Sequence, residues 1–476
     1  LYKDEERFGR GFTAQELYNV ENDITTDWLD LVSQEAIQQN HTISVSGGSD
    51  STTYNFSAGK QLEEGLVTGN DYTRLSLNAG VESQVSDKMK VGFTAYLTEN
   101  ERNWGSHEAV RSAMRARPTA TPFFDDIVNA NKRDTNFGPV GPYAFYMGIN
   151  DSQVINPLVE IHPDNYQRQN RSNSLIANVY LEYEITPGLK FKTSYSGYNN
   201  NIREGEYRGT FTKSRKGSRS PIASTNQFKT SNYTIDNTLT YQAEFGKHSI
   251  NATALASIFE EYNEQIGLAV EDLPYKSLWH SLGTGATVTN YGSNLEEYSI
   301  ASYMGRINYG FNDKYLLTLT GRYDGASQLA EGNKWAFFPS AAIGWRLSEE
   351  SFIQDLGAFN NLKLRVSYGE VGNNASINPY ATQANIFQTF YDFDGTPSLG
   401  YTINALSNQG IVWERSKEIN VGLDFSLSDL PISGTVEYYK RNTEDLILDD
   451  KVPNSTGFNN VLGNVGEIEN SGIEIS

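Results

Sequence analysis

The chain has no cysteine, and only five of its 476 residues are histidine. The first absence removes disulfide frameworks, thiolate metal sites and cysteine nucleophiles together. The histidines (His41, His107, His162, His248 and His280) stand alone, with no H-E-x-x-H spacing to hold a metal. Basic residues are scarce: 38 Lys and Arg against 58 Asp and Glu give a formal charge of −20. That count argues against nucleic-acid binding through a basic face, because phosphate contacts need clustered cations. Long apolar runs are missing too. No stretch approaches the ~18 apolar residues of a membrane-spanning helix, which leaves a β-barrel open.

What is present is aromatic. Mean hydropathy is only −0.52, yet 29 Tyr and 23 Phe lift the aromatic share to 12%. Such rings favour boundaries between apolar and wet surroundings. The 41 Gly are spread among varied residues, which argues against low complexity.

Alternation of period two begins near His41 and rarely stops. In "DYTRLSLNAGVESQVSDKMKVGFTAYL" (71–97), Leu75, Leu77, Val81 and Phe93 fall on one face. Arg74, Asn78 and Glu82 fall on the other. The same split separates Val179 and Leu181 from Asn178 and Glu182, and Val421 and Leu423 from Asn420 and Asp424. The pattern predicts strands at 41–48, 51–60, 71–86, 88–100, 171–186, 188–200, 231–246, 247–261, 297–311, 313–325, 334–348, 361–369, 413–428, 432–448 and 466–476. Many exceed the five or six residues of an average globular strand.

The connections alternate in kind. Turn formers such as "SDK" (86–88), "TPG" (186–188), "FGKH" (245–248), "FNDK" (311–314) and "SDLP" (428–431) make short links. Long links cover 101–170, 201–230, 262–296 and 370–412, while 349–361 reads as a helical turn on the short side. Segregation of short and long links to opposite ends is the mark of an up-and-down transmembrane barrel. On this reading the apolar set faces lipid and the polar set lines a wet lumen. Tyr183, Phe245, Tyr309, Phe311, Tyr315 and Trp345, beside the short turns, form an aromatic girdle.

No catalytic, metal or cofactor site emerges. "LGTGATVTNYG" (282–292) lacks the third glycine of a dinucleotide loop and reads as a loop; "YDFDGTP" (391–397) reads as a turn, without calcium-loop spacing. The pairs Glu260–Glu261 and Glu349–Glu350 read as solvated charge. Two loop segments are basic in this acidic chain: "RNWGSHEAVRSAMRARPTATPFFDD" (102–126), read as a helix ending at Pro118, and "NIREGEYRGTFTKSRKGSRS" (201–220). Each reads as a solvated loop or a specific contact.

Six blocks in order carry a resemblance: "TDWLDLVSQEAIQQNHTISVSGGSDSTTYNFSAG" (26–59), "GRYDGASQLAEGNKWAFFPSAAIGWRLSEESF" (321–352), "LKLRVSYGEVGN" (362–373), "WERSKEINVGLDF" (413–425), "VEYYKRNTEDLIL" (436–448) and "GFNNVLGNVGEIENSGIEI" (457–475). "INPLVEI" (155–161) adds to them. Together they resemble SusC/RagA-like, TonB-linked outer-membrane transporters over nearly the whole chain. The resemblance implies an all-β, antiparallel barrel with long extracellular loops, of which this chain holds about 15 of roughly 22 strands. It implies uptake of glycans or peptides, a SusD-like lipoprotein as lid, and energy from TonB–ExbB–ExbD acting through a plug region outside this segment. Residues 1–40 are then an extracellular loop following an earlier strand, residues 41–476 a partial barrel, and roughly six further strands follow Ser476. A soluble secreted carbohydrate-binding or hydrolytic β protein is the alternative, and an unspecific porin a third reading.

Overall fold

A computed structural model describes residues 14–122, 154–216, 219–403, 405–428 and 430–476. Residues 1–13 of the N-terminal loop segment and 123–126 of the first basic segment lie outside the described residues. So do 217–218 of the second basic segment and 429 of the "SDLP" turn.

One antiparallel sheet of fifteen strands dominates, and each strand pairs with the next along the sheet. Its first strands are β1 (Gln38–Gly48), β2 (Thr52–Glu64), β3 (Asp71–Ser86) and β4 (Met89–Asn103). Five long strands follow: β5 (Tyr166–Thr186), β6 (Leu189–Arg208), β7 (Ile222–Phe245), β8 (His248–Glu271) and β9 (Thr287–Phe311). After them come β10 (Tyr315–Ala326), β11 (Trp335–Arg346) and β12 (Phe359–Asn373). Two strands outside the sheet, β13 (Ile386–Phe393) and β14 (Thr396–Ile403), form a separate hairpin. The sheet resumes with β15 (Glu414–Leu427) and β16 (Ser433–Glu444), leaves for the hairpin β17 (Ile447–Lys451) and β18 (Asn460–Asn464), and ends at β19 (Ile468–Ile475).

The strand count of the sheet agrees with the alternation, but several boundaries do not. β5 to β9 run 20 to 25 residues, extending well into the expected long loops. "Loop" 201–230 is therefore strand over 201–208 and 222–230, and "loop" 282–292 is strand from Thr287. Polar Asn, Ser and Thr dominate the extensions of β7 and β9 and hide them from periodicity, whereas Ile266, Leu268 and Val270 alternate in the β8 extension, a signal the sequence reading missed. Among its described residues the basic segment after Arg102 is α-helical over α3 (His107–Ala113) alone, and the 349–361 turn holds α5 (Ser351–Gln354). Three further helices stand at the long-loop end: α1 (Ala14–Glu21), α2 (Trp28–Val32) and α4 (Pro157–Ile161).

Turn chemistry explains the tight end. Asn312 and Asp313 take φ of 53° and 55°, the paired left-handed values of a hairpin turn whose twist suits antiparallel strands. Asp394 and Gly395, in "YDFDGTP", repeat this at the tip of β13–β14, so that motif is a turn as read.

Fully buried apolar clusters sit at the long-loop end. One gathers Leu329, Phe338, Ile377, Ile411, Trp413 and Ile447; a second, Trp28, Val32, Ala109 and Ala113; a third, Tyr207, Val270, Leu273, Trp279 and Leu282. The loops thus fold as small packed caps, while the sheet between them and the short turns displays its apolar side chains.

Candidate functional site

The site is the sheet's pair of faces together with its mouth. Residues directly opposite across an antiparallel pair share a face, so the register traces continuous rows. Val81 lies opposite Phe93, Phe93 opposite Val179, Val179 opposite Tyr195, and Tyr195 opposite Ile235. Leu77 faces Leu97 and then Leu175; Leu364 faces Leu423, and Val366 faces Val421. Leu75 stands on the Leu77 face two residues along β3, and Leu181 lies opposite Val91 on the Val179 face. Leu75, Leu77, Phe93, Val179, Val421 and Leu423 are exposed, with Ile343 reaching 60%. Val81 and Leu181 are half-buried among these neighbours. An exposed apolar surface this broad far exceeds the patches of a water-soluble monomer.

Aromatic rings bound that surface at the short-turn end. Phe245, His248, Phe311, Tyr315 and Trp345 are successive cross-strand partners. His248 stacks on Phe245 at 5.2 Å, and its Nδ1 is 2.7 Å from the Tyr309 hydroxyl. Tyr183 belongs to the same face, opposite Phe191. A second row, which the sequence reading missed, lies eight residues further up the strands. There Tyr303 faces Tyr323, Tyr323 faces Phe337, and Trp335 stacks on Tyr323 at 4.9 Å. The ten residues from Trp345 to Trp335 span about 33 Å along the strand, or about 25 Å of height at a tilt of ~40°, which matches the ~25 Å apolar band of an outer-membrane barrel. The signal was available: aromatic residues recur on the apolar face in β9, β10 and β11.

The opposite face is polar and internally paired. Arg74 donates to the Tyr96 hydroxyl at 2.5 Å, and Asn78 lies directly opposite Tyr96. Glu82 pairs with Lys90 at 2.6 Å and accepts from the Tyr180 hydroxyl. Asn178 donates to Ser196 at 2.7 Å, and Glu182 meets Lys190 at 3.4 Å. Asn420 stands between Ser367 and Tyr439. Asp424 takes the Arg365 guanidinium at 3.2 Å, and Glu437 contacts the same guanidinium. All seven polar residues singled out from the sequence therefore lie on this face.

At the long-loop end of the polar face, the two basic segments meet. Lys213 binds Glu108 at 2.7 Å, joining the 209–221 link to α3. Between them Glu160 of α4 is buried, accepting from Ser106 Oγ at 2.7 Å and from the Lys213 backbone N–H at 2.6 Å. Burial pushes the Glu160 carboxyl above the ordinary range despite those bonds. Glu108 is also penalised by burial, but Lys213 and Arg111 bring it below the ordinary range on balance. Among the described residues no group of His, Asp and Glu could hold a metal ion.

These faces have a counterpart in known sequences. Residues 116–476 match the family model described as "TonB dependent receptor-like, beta-barrel". The chain belongs to that family. Family membership places this receptor barrel in the outer membrane, and the soluble secreted alternative gives way to it. Among curated relatives, TonB-dependent receptor P26 of Formosa agariphila is 29% identical over 461 residues, covering 94% of this chain and 44% of its own. TonB-dependent receptor SusC of Bacteroides thetaiotaomicron is 26% identical over 479 residues, covering 95% and 46%. The chain thus spans about half the length of these relatives. In fold it matches the RagAB peptide transporter, with a TM-score of 0.78 at 21% identity, over 100% of this chain and 51% of that one.

Proposed function

We propose that this receptor barrel is the wall of a transporter that carries oligosaccharides or peptides across the outer membrane, and that it is not an enzyme. The observation that carries the reading is the sheet itself. One face is apolar and bounded by two aromatic rows; the other is polar and hydrogen-bonded; the long links all leave one end. The apolar rows through Leu77, Val81, Phe93, Val179 and Val421 face lipid. The ring rows through Trp345 and Trp335 sit at the two interfaces. Arg74, Asn78, Glu82, Asn178, Glu182, Asn420 and Asp424 face the lumen, and residues 14–37, ahead of β1, belong to the external end. Relatives named SusC and RagAB support a SusD-like lipoprotein seated on the long-loop end and energy supplied by TonB–ExbB–ExbD.

Accumulation of labelled oligosaccharide or peptide by cells carrying the full-length gene is the test. Uptake should vanish when either TonB or the paired lipoprotein is deleted. Uptake indifferent to TonB would overturn the reading in favour of passive diffusion.

A further inference from the structure

The mouth where the basic segments meet contains a cavity of about 410 Å³. Five cationic side chains line it: Arg111, Arg168, Arg208, Lys213 and Lys216. Three carboxylates, Glu108, Glu160 and Glu206, share it, which leaves an excess of two positive charges in a chain of net charge −20. The carboxylates are already engaged. Glu206 is gripped by Arg208 through Nε at 2.9 Å and Nη2 at 3.1 Å. Glu108 is shared by Lys213 and Arg111, and Glu160 is capped by Ser106 and the Lys213 N–H.

Among the described residues Arg168 pairs with no carboxylate, because Glu206, opposite it in β6, is taken by Arg208. The Arg168 guanidinium carbon lies 5.5 Å from the Trp104 ring centre, and Arg102 lies 4.7 Å from the same ring. Neither arginine makes an ion pair among the described residues. Two guanidiniums against one ring repel each other, and an anion held at Arg168 would relieve that repulsion.

Arg168 is on the lumen side. Arg74 lies opposite Asn100 and Asn100 opposite Ser172, and Arg168 is four residues along β5 from Ser172 on the same face. Deeper on that face runs a row of small hydrogen-bonding groups: Ser76, Thr98, Ser174, Asn200, Thr230 and Asn263. It offers hydroxyls and amides, with Ile202 and Phe228 beside them on the same face. Hydroxyl-rich ligands suit it.

We propose that this mouth cavity binds the carboxylate or sulfate groups of an acidic oligosaccharide as it enters the lumen, with Arg168 in its wall and Arg102, against the same Trp104 ring, beside it. This rests on the uptake reading above and narrows its substrate to anionic sugars. A charged, narrow mouth with low-dielectric walls concentrates ligands of opposite sign.

Calorimetric titration of the detergent-purified full-length receptor with its lipoprotein tests it. The probes are a hexagalacturonate, a sulfated hexasaccharide, a neutral hexaglucan and a hexaglutamate peptide. One of the two acidic sugars should bind at least about tenfold more tightly than the neutral one, and which one does identifies the anion. Arg168→Ala and Arg102→Ala should each weaken that sugar about tenfold, the scale of one charge-assisted hydrogen bond. Arg168→Lys should recover part of the loss, and added salt should weaken wild-type binding. Equal binding of acidic and neutral sugars, preference for the peptide, absence of binding by folded protein, or acidic-sugar binding untouched by both arginine variants would each overturn the proposal. Failure of TonB-dependent uptake with this discrimination intact would sink the transport reading and leave the cavity's specificity standing.

Discussion

Tyr315 and Trp345 lie directly opposite each other in β10 and β11, with ring centres 6.3 Å apart, and both donate to the same oxygen of Glu350. The Tyr315 hydroxyl is 2.7 Å from Glu350 Oε1 and Trp345 Nε1 is 3.2 Å away, while Lys314 meets Oε2 at 3.3 Å. Two amphipathic rings at the proposed interface are thus tied to a carboxylate in the short β11–β12 connection.

These bonds, that from Tyr315 foremost, hold the Glu350 carboxyl below the ordinary glutamate range. A carboxyl with a depressed folded pKa stabilises the fold above its unfolded value near 4.5 and loses that contribution as pH falls through the folded value. Stability of the full-length protein in detergent should therefore decline below about pH 4.5 in the wild type. Glu350→Gln should show a shallower decline, because it no longer titrates. Unfolding midpoints measured across the acid range check this; identical acid profiles for both proteins would contradict it.

The two faces of β3 should differ in tolerance. Val81 sits in the outward apolar rows, opposite Phe93 on one side and Tyr54 on the other. Val81→Arg should cost about 2–4 kcal/mol if the residue lies at the bilayer midplane, and less toward an interface. Asn78→Arg, beside Tyr96 on the polar face, should cost little. Folding titrations of the full-length receptor in lipid vesicles measure both, and equal costs would remove the lipid-facing assignment.

The sequence made the faces legible because each core strand obeys one rule: apolar residues at every second position. Leu77, Val81 and Phe93 could be placed by parity alone. The upper half of β6 could not, since in "SYSGYNNNIREGEYR" neither parity is apolar. Extension there comes from partner strands supplying ladder hydrogen bonds, which no local pattern reports. The mouth was half legible. Both basic segments stood out, but their meeting through Lys213 and Glu108, 105 positions apart, is set by the folding of two separate links, β4–β5 and β6–β7. Glu160 was invisible, because "INPLVEI" gives no sign that its glutamate turns inward between Ser106 and Lys213.

The hairpin β13–β14 is exposed along almost its whole length, including Phe387, Phe390, Tyr391, Phe393 and Tyr401. An isolated two-stranded hairpin is marginal in water, and apolar exposure of this extent marks a contact surface. Replacing residues 386–403 with a short Gly/Ser link should leave the barrel folded in detergent, since none of its side chains joins a buried cluster. Co-purification of the SusD-like lipoprotein with the full-length receptor should fall. Undiminished recovery of the lipoprotein would remove this hairpin from the partner surface.

Trp279 is the largest fully buried side chain, at 2% exposure, and it lies flat over β6 at Gly205. A Cβ built on Gly205 would fall 2.0 Å from Trp279 Cδ2, far inside contact distance. The glycine is there to let the indole approach the strand, and Arg203 stacks on the same ring at 4.9 Å. Gly205→Ala should therefore lift the 272–286 link off β6 at a cost of about 1–3 kcal/mol, the range for overpacking a closed site. Trp279→Ala should cost more, about 3–5 kcal/mol, by emptying the cluster with Tyr207, Val270 and Leu282. Both effects are local, because the ladders between β6, β7 and β8 do not depend on the indole. Hydrogen exchange should accelerate across 272–286 in either variant while amides of 230–245 keep their protection. Unchanged exchange in 272–286 for Gly205→Ala would mean that the link adjusts without loss, and the close approach would then carry no stability.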